Sequence, residues 1–138
     1  MKGLPFGYNG RVLRVDLSRS RIRVDQPDDV FYRRYIGGEG FVAYYLLKEL
    51  RPGVDSLGPK NMLIFAAGPV TGASIPGNGR NSVGAKSPLT GGFGESEVGG
   101  LWGAELKHAS FDAIIFKGKS IDPVYLWVHD GEAELRDA

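Results

Sequence analysis

Arg80 and Lys86 are the two cations of residues 77–100, GNGRNSVGAKSPLTGGFGESEVGG, a stretch with eight glycines and no acidic residue before Glu95. Successive glycine N–H groups can form a concave nest for an anion, and a guanidinium can grip a phosphate with two hydrogen bonds. Glycine loses more backbone entropy on folding than any other residue, so such a run weakens a fold unless something requires it. Two readings stand level on pattern alone. One is a long surface loop; the other is a surface where main chain approaches a ligand closely. Of ligands, the pattern favours a polyanionic small molecule over a protein.

Other residue types offer less. His108 and His129 have no second histidine or carboxylate at metal-ligand spacing, so each is read as structural or solvated. No serine lies in a G-x-S-x-G elbow. Glu95 and Glu97, two residues apart, are expected to point away from each other rather than to act as a pair. GPVTGASIPGNGR lacks the G-K-[ST] ending of a phosphate loop. Gly38-Glu39-Gly40 before a helix could present N–H groups to an anion, with a tight turn into the helix at least as good an explanation.

The elements that must position these residues follow from periodicity. RVLRVDLSRSRIRV alternates, with Leu13, Val15 and Leu17 on one face, and reads as a hairpin. VYLWVHDGEAELRD repeats that pattern around Asp130-Gly131, a strong hairpin turn signal. The two hairpins could share one sheet or lie in two. A short helix capped by Asp28 or Asp29 is expected through Tyr35. A longer one follows Gly40, with Val42, Ala43, Leu46, Leu47 and Leu50 at helical spacing and Pro52-Gly53 as the stop. A third spans Leu101 to Ala109, with Leu101, Trp102, Glu105, Leu106 and Ala109 along one side. MLIFAA (62–67) and AIIF (113–116) read as strands covered on both faces. The class is α+β, with strands dominating the ends and residues 77–100 a glycine-rich connection.

Composition bounds the rest. One hundred and thirty-eight residues suit a single domain, 1–138. Seventeen basic against sixteen acidic residues leave no bulk field to attract nucleic acid or an anionic membrane. No apolar run approaches the roughly 20 residues of a membrane helix, and MKGLPFGYNGRV lacks a signal-peptide core, so a cytoplasmic location is expected. There is no cysteine, which excludes a cysteine-held iron–sulfur cluster on this chain.

Six ordered blocks carry a resemblance: GRVLRVDL, GGEG, LIFAAGPVTG, GRNSVGAKSPLTGGFGESEVGG, LWGAELKHASFDAIIFKGK and PVYLWV. Together, from about Gly7 to Ala138, they resemble the N-terminal domain of the aldehyde:ferredoxin oxidoreductase family. The resemblance implies a mostly β platform of two sheets with two or three short helices. It implies a tungsten- or molybdenum-bis-pyranopterin cofactor resting on that platform, with Mg²⁺ bridging the pterin phosphates. A four-iron four-sulfur (4Fe-4S) cluster would be held by cysteines outside this chain. Aldehyde oxidation to carboxylate, with electrons passed to ferredoxin, is the implied reaction.

Carried across by position, Arg80 would contact a pterin phosphate, Glu97 would lend its backbone carbonyl to the Mg²⁺, and Gly99 would touch the pterin through main chain. No catalytic residue falls on this chain. Glu97 departs from the family, where asparagine is expected; a carbonyl ligand tolerates that change, but a carboxylate near phosphates repels them unless the cation offsets it. The family's enzymes are several times longer. The chain is therefore expected to be an incomplete N-terminal platform, inactive by itself, whose partners are C-terminal domains or a large catalytic subunit. The alternative is a stand-alone, non-catalytic binding or assembly module that self-associates as a homodimer.

Overall fold

The alternation in RVLRVDLSRSRIRV folds into the expected hairpin, β1 (Val12–Asp16) against β2 (Arg21–Asp25), with Val12 opposite Asp25 and Asp16 opposite Arg21. The computed structural model describes residues 6–138. Asp28 caps α1 (Asp29–Tyr35) by accepting the Phe31 N–H at 2.9 Å, which satisfies one of the helix's open donors. Then come α2 (Glu39–Glu49), β3 (Met62–Ala67), β4 (Asn81–Lys86), β5 (Phe93–Val98), α3 (Trp102–His108), β6 (Ala113–Lys117), β7 (Val124–His129) and β8 (Glu132–Asp137).

Six strands form one sheet in the order β2-β1-β6-β3-β4-β5, and β7-β8 form a second. The two terminal hairpins therefore lie in different sheets. Only β1 and β6 run parallel in the large sheet; every other neighbour is antiparallel. The fold is α+β with a strand-rich platform. The glycine-rich connection expected over 77–100 is corrected: most of it is regular hairpin, β4 paired with β5 from Asn81–Val98 to Lys86–Phe93. Small residues hid it, because alternation carries little hydrophobic contrast when Gly, Ser and Ala occupy both faces.

One face of the large sheet is roofed by α1 and α2. Its core joins Phe31, Tyr32, Phe41, Val42, Tyr45 and Leu46 to Val12, Met62, Ile64, Ala66, Ala113 and Ile115. Phe31 sits at the centre, 4.7 Å from the Phe41 ring and 5.0 Å from that of Tyr44. The buried stripe of α2 is Phe41, Val42, Tyr45 and Leu46, whereas Leu47 is 85% exposed. The expected stripe was thus turned toward the aliphatic residues, and aromatic burial, with 150–250 Å² per ring, wins the orientation. Gly84 lets this roof sit close: a Cβ there would lie 2.3 Å from Val42 Cγ1.

The opposite face carries α3 and the β7-β8 hairpin, packed through Leu13, Val15, Leu106, Phe111 and Ile114. Of the side expected for α3, Trp102, Glu105, Leu106 and Ala109 line a cavity of about 460 Å³ beneath β7, while Leu101 is exposed. β6 is covered on both faces as expected; β3 is covered less completely, with Leu63 42% exposed.

Two charged clusters lock the frame. The Asp112 carboxylate, fully buried, accepts the N–H groups of Asn9, Gly10 and Arg11 and the Lys107 ammonium at 2.6 Å. That one side chain joins the entry to β1, the end of α3 and the start of β6. Across the sheet, Arg14 binds Asp25 and, with two nitrogens, Glu49 on α2, which also takes Lys117 at 2.8 Å. Burial alone would raise the Glu49 carboxyl, but hydrogen bonds from Arg14 and Lys117 hold it at about 2.

Candidate functional site

The β4-β5 hairpin and its approach bring Arg80, Glu97 and Gly99 to one end of the large sheet. Arg80 immediately precedes β4, and its main chain is fixed from below. Thr71, 5% exposed, accepts the Gly68 N–H through Oγ1 and donates that hydroxyl to the Arg80 carbonyl, each at 2.8 Å. Gly79 passes Gly100 so closely that a Cβ would lie 2.9 Å from the Gly100 carbonyl oxygen. The chain on both sides of the hairpin mouth is therefore pinned. The Arg80 guanidinium is not: its side chain is 67% exposed, and among the described residues its one acidic partner is Glu97, Nη1 to Oε2 3.4 Å.

Glu97 pairs with Ser82 and Glu95 with Gly84. Gly84 faces Val42 of α2, and Ser82 faces Gly38 at the head of the same helix. A strand's side chains repeat every second residue, so Glu95 and Glu97 share that face. The expectation that they diverge is corrected. Oε1 of Glu95 is buried there without a hydrogen-bond partner among the described residues.

The backbone of Glu97 faces a different way. β5 is an edge strand. At the hairpin's turn the Ser87 N–H binds the Gly92 carbonyl, in the same register that pairs Lys86 with Phe93. Antiparallel pairs alternate between hydrogen-bonded and non-hydrogen-bonded. Counting from Ser87–Gly92 makes Ser82–Glu97 a non-hydrogen-bonded pair, so the Glu97 carbonyl and N–H point off the free edge. Gly99 continues that edge, exposed, with no atom within 4 Å of where a Cβ would stand.

The two cations of the segment do not converge. Lys86 ends β4, six residues and about 20 Å of strand from Arg80, and its Nζ donates to the Val54 carbonyl at 2.5 Å. It anchors the 50–60 connection rather than facing a ligand. The Gly38-Glu39-Gly40 turn is spent on structure too: the N–H groups of Gly38, Gly40, Phe41 and Val42 bind carbonyls of Ala67, Gly37 and Gly38. A Cβ on Gly40 would lie 2.1 Å from the Tyr35 carbonyl oxygen. His108 is 68% exposed, 3.9 Å from Glu105, and His129 stacks on Trp127 beside Asp130.

Thr71 and Asn81 were not singled out from sequence. Asn81 is 3% exposed, with neither side-chain polar atom hydrogen-bonded among the described residues, and lies against Gly103 at the start of α3. A threonine three residues after Gly68 in GPVTG is the only signal that could have pointed to Thr71, as a hydroxyl able to close a short turn.

Comparison with known proteins places the chain. Residues 12–138 match the family model for the aldehyde ferredoxin oxidoreductase N-terminal domain. A tungsten-containing aldehyde ferredoxin oxidoreductase from Pyrococcus abyssi is 50% identical over 133 residues, covering 96% of this chain and 22% of that protein. The WOR-like subunit of an aliphatic sulfonate oxidoreductase from Pyrococcus furiosus is 41% identical, again over 96% of this chain and 22% of its own length. Among solved structures, a chain of the BamBC active-site complex of benzoyl coenzyme A reductase, with 1,5-dienoyl-CoA, superposes with a TM-score of 0.93. It is 40% identical, covering 96% of this chain and 20% of that one. The chain spans about a fifth of the length of the relatives it matches. It belongs to the aldehyde ferredoxin oxidoreductase family, as that family's N-terminal domain.

Proposed function

We propose that the chain is the cofactor platform of a tungsten-pterin oxidoreductase, with the β4-β5 hairpin as the floor of the site. The observation that carries the reading is Arg80: a guanidinium two-thirds exposed, on main chain clamped by Thr71, at the mouth of a glycine-lined hairpin. Unlike Arg14, it is not consumed by the fold.

The residues present suit a phosphate-bearing pterin. Arg80 would take a phosphate oxygen pair. The Glu97 carbonyl, directed off the edge of β5, would serve a Mg²⁺ that joins the phosphates. Gly99 and Gly100, without side chains, leave the main chain open to a flat ring system. The cofactor, a tungsten- or molybdenum-bis-pyranopterin, supplies two-electron oxidation at the metal, here of an aldehyde to a carboxylate. This chain's part is to hold phosphate, orient the pterin and close one wall against water. It has no cysteine, so the 4Fe-4S cluster that passes electrons to ferredoxin belongs to C-terminal domains or a large subunit. Alone, the chain is inactive. The matched relatives are named for aldehyde, aliphatic sulfonate and benzoyl coenzyme A, which supports a shared platform and a substrate pocket built elsewhere.

The test is metal and pterin analysis of the protein produced with tungstate. Stoichiometric tungsten with two pterins per site supports the reading. A metal-free, tightly dimeric protein instead supports a non-catalytic assembly module, for which the free β5 edge and exposed Val98 and Leu101 beside it offer a self-association surface.

A further inference from the structure

We infer that the β1-β2 edge of the large sheet holds a site for a compact dianion of phosphate type. It involves neither Arg80 nor the glycine-rich segment: β2 and β5 are opposite edges of the sheet, about 24 Å apart at the usual strand spacing. Arg14, Arg19, Arg21, Arg23 and Lys117 line one cleft there of about 260 Å³, walled on one side by Ile115, which is buried. The cations come from β1, β2, β6 and the turn between the first two strands. Arg14 stands directly opposite Arg23, and Arg21 lies two residues from Arg23 on the same face. Like charges set opposite each other destabilise a sheet, so this grouping costs the fold until an anion enters.

The nearby carboxylates are already engaged. Both oxygens of Glu49 take Arg14, and one also takes Lys117. Asp25 gives one oxygen to Arg14, and its other lies 3.6 Å from Arg23. Asp16 accepts the N–H and the guanidinium of Arg19, its neighbour in the turn. No ion pair reaches Arg21 among the described residues. Five cations against these three carboxylates leave two positive charges, and Arg21 and Arg23 are exposed with donors to spare. A guanidinium grips phosphate with two hydrogen bonds. Two of them on alternate residues of one strand, with Cα atoms about 7 Å apart, can bracket a dianion. A cleft of one charge sign beside an apolar wall also focuses the field on that spot. Its volume lies below the roughly 300–1,000 Å³ of drug-sized ligand pockets and suits a phosphate group. Charge on an edge strand guards against pairing with another chain, but that purpose needs charge along the edge, not five cations gathered around one cleft.

The test is calorimetric titration of the complete protein, in an Arg80→Ala background that removes the other arginine read as a phosphate contact. Inorganic phosphate and phenyl phosphate are the probes. One saturable site is expected, and the tighter probe tells whether the anion is free or carried on an organic molecule. Arg21→Gln with Arg23→Gln is expected to weaken binding at least about tenfold, because charge-assisted hydrogen bonds are lost. Arg33→Gln with Arg34→Gln removes the same charge from exposed positions of α1 and is expected to stay within about twofold of the parent. Phosphate should raise the thermal midpoint of the parent but not of the Arg21 and Arg23 double variant. No saturable binding, or an equal loss in the two double variants, reduces the cluster to surface charge and overturns the site. A midpoint lowered by the Arg21 and Arg23 changes in phosphate-free buffer overturns it too, since the two arginines would then serve the fold.

Discussion

Arg14 and Arg80 are the same residue set to opposite uses. Arg14, its side chain 12% exposed, is held by Asp25 and by two bonds to Glu49, which is tied in turn to Lys117. Each of its three nitrogens donates to a carboxylate, and the guanidinium also lies over Tyr45 at 5.0 Å. Arg80 has clamped main chain, a mobile-length side chain in water and one acid at 3.4 Å. The first arginine is spent on joining α2 to the sheet; the second is kept available. The two regions they mark, roofed sheet and open hairpin mouth, differ in the same way, and the difference can be attacked by mutation.

The largest effect is expected in the locked frame. Asp112→Ala strips a buried carboxylate from three backbone N–H groups and leaves the partly buried Lys107 ammonium with the Gly7 carbonyl but without its counter-charge, at a cost of about 3–5 kcal/mol. Chemical denaturation would show it; a loss below about 1 kcal/mol would mean the cluster is not structural. Gly84→Ala comes next, about 1–3 kcal/mol, because its Cβ would meet both Val42 and the Gly94 carbonyl oxygen at 3.0 Å.

Acid should act on the same frame. The Glu49 carboxyl is held at about 2, below its ordinary value of 4.5. A depressed folded-state value contributes stability that is complete above 4.5 and lost as pH falls toward about 2. Denaturation midpoints measured between pH 6 and 2 should therefore fall through that window, and Glu49→Gln should flatten the fall.

The smallest stability effects belong to the hairpin mouth. Arg80→Ala and Gly99→Ala should each lie within about 0.5 kcal/mol of wild type, since one exposed pair is lost in the first and open space is entered in the second. A loss above about 1 kcal/mol in either would assign that residue to the frame instead.

These contrasts explain what was legible in the residues. Both terminal hairpins, α1 with its Asp28 cap, β3 and β6 could be read because apolar alternation or continuous apolar runs mark them. The β4-β5 hairpin could not, since NSVGAK and FGESEV have too little apolar contrast to show a period. Ile36 was illegible for another reason. It adopts φ 64° in a tight turn that binds the Gly37 N–H to the Tyr35 carbonyl, a conformation tertiary contacts impose on a β-branched residue. Tyr8 holds it there by donating to the Ile36 carbonyl at 2.6 Å. At the site, resemblance supplied Arg80, Glu97 and Gly99, and the folded chain showed what pattern could not. Lys86 is diverted to Val54, Glu95 joins Glu97 on one face, and Thr71 holds the backbone beneath Arg80.

Arg80, on the proposal above, is reserved for a cofactor phosphate. Tungsten and pterin content of the complete protein carrying Arg80→Ala, measured beside its thermal midpoint, tests this most directly. A several-fold fall in cofactor content is expected, with the apoprotein midpoint unchanged. Full tungsten and pterin occupancy in that variant would contradict it.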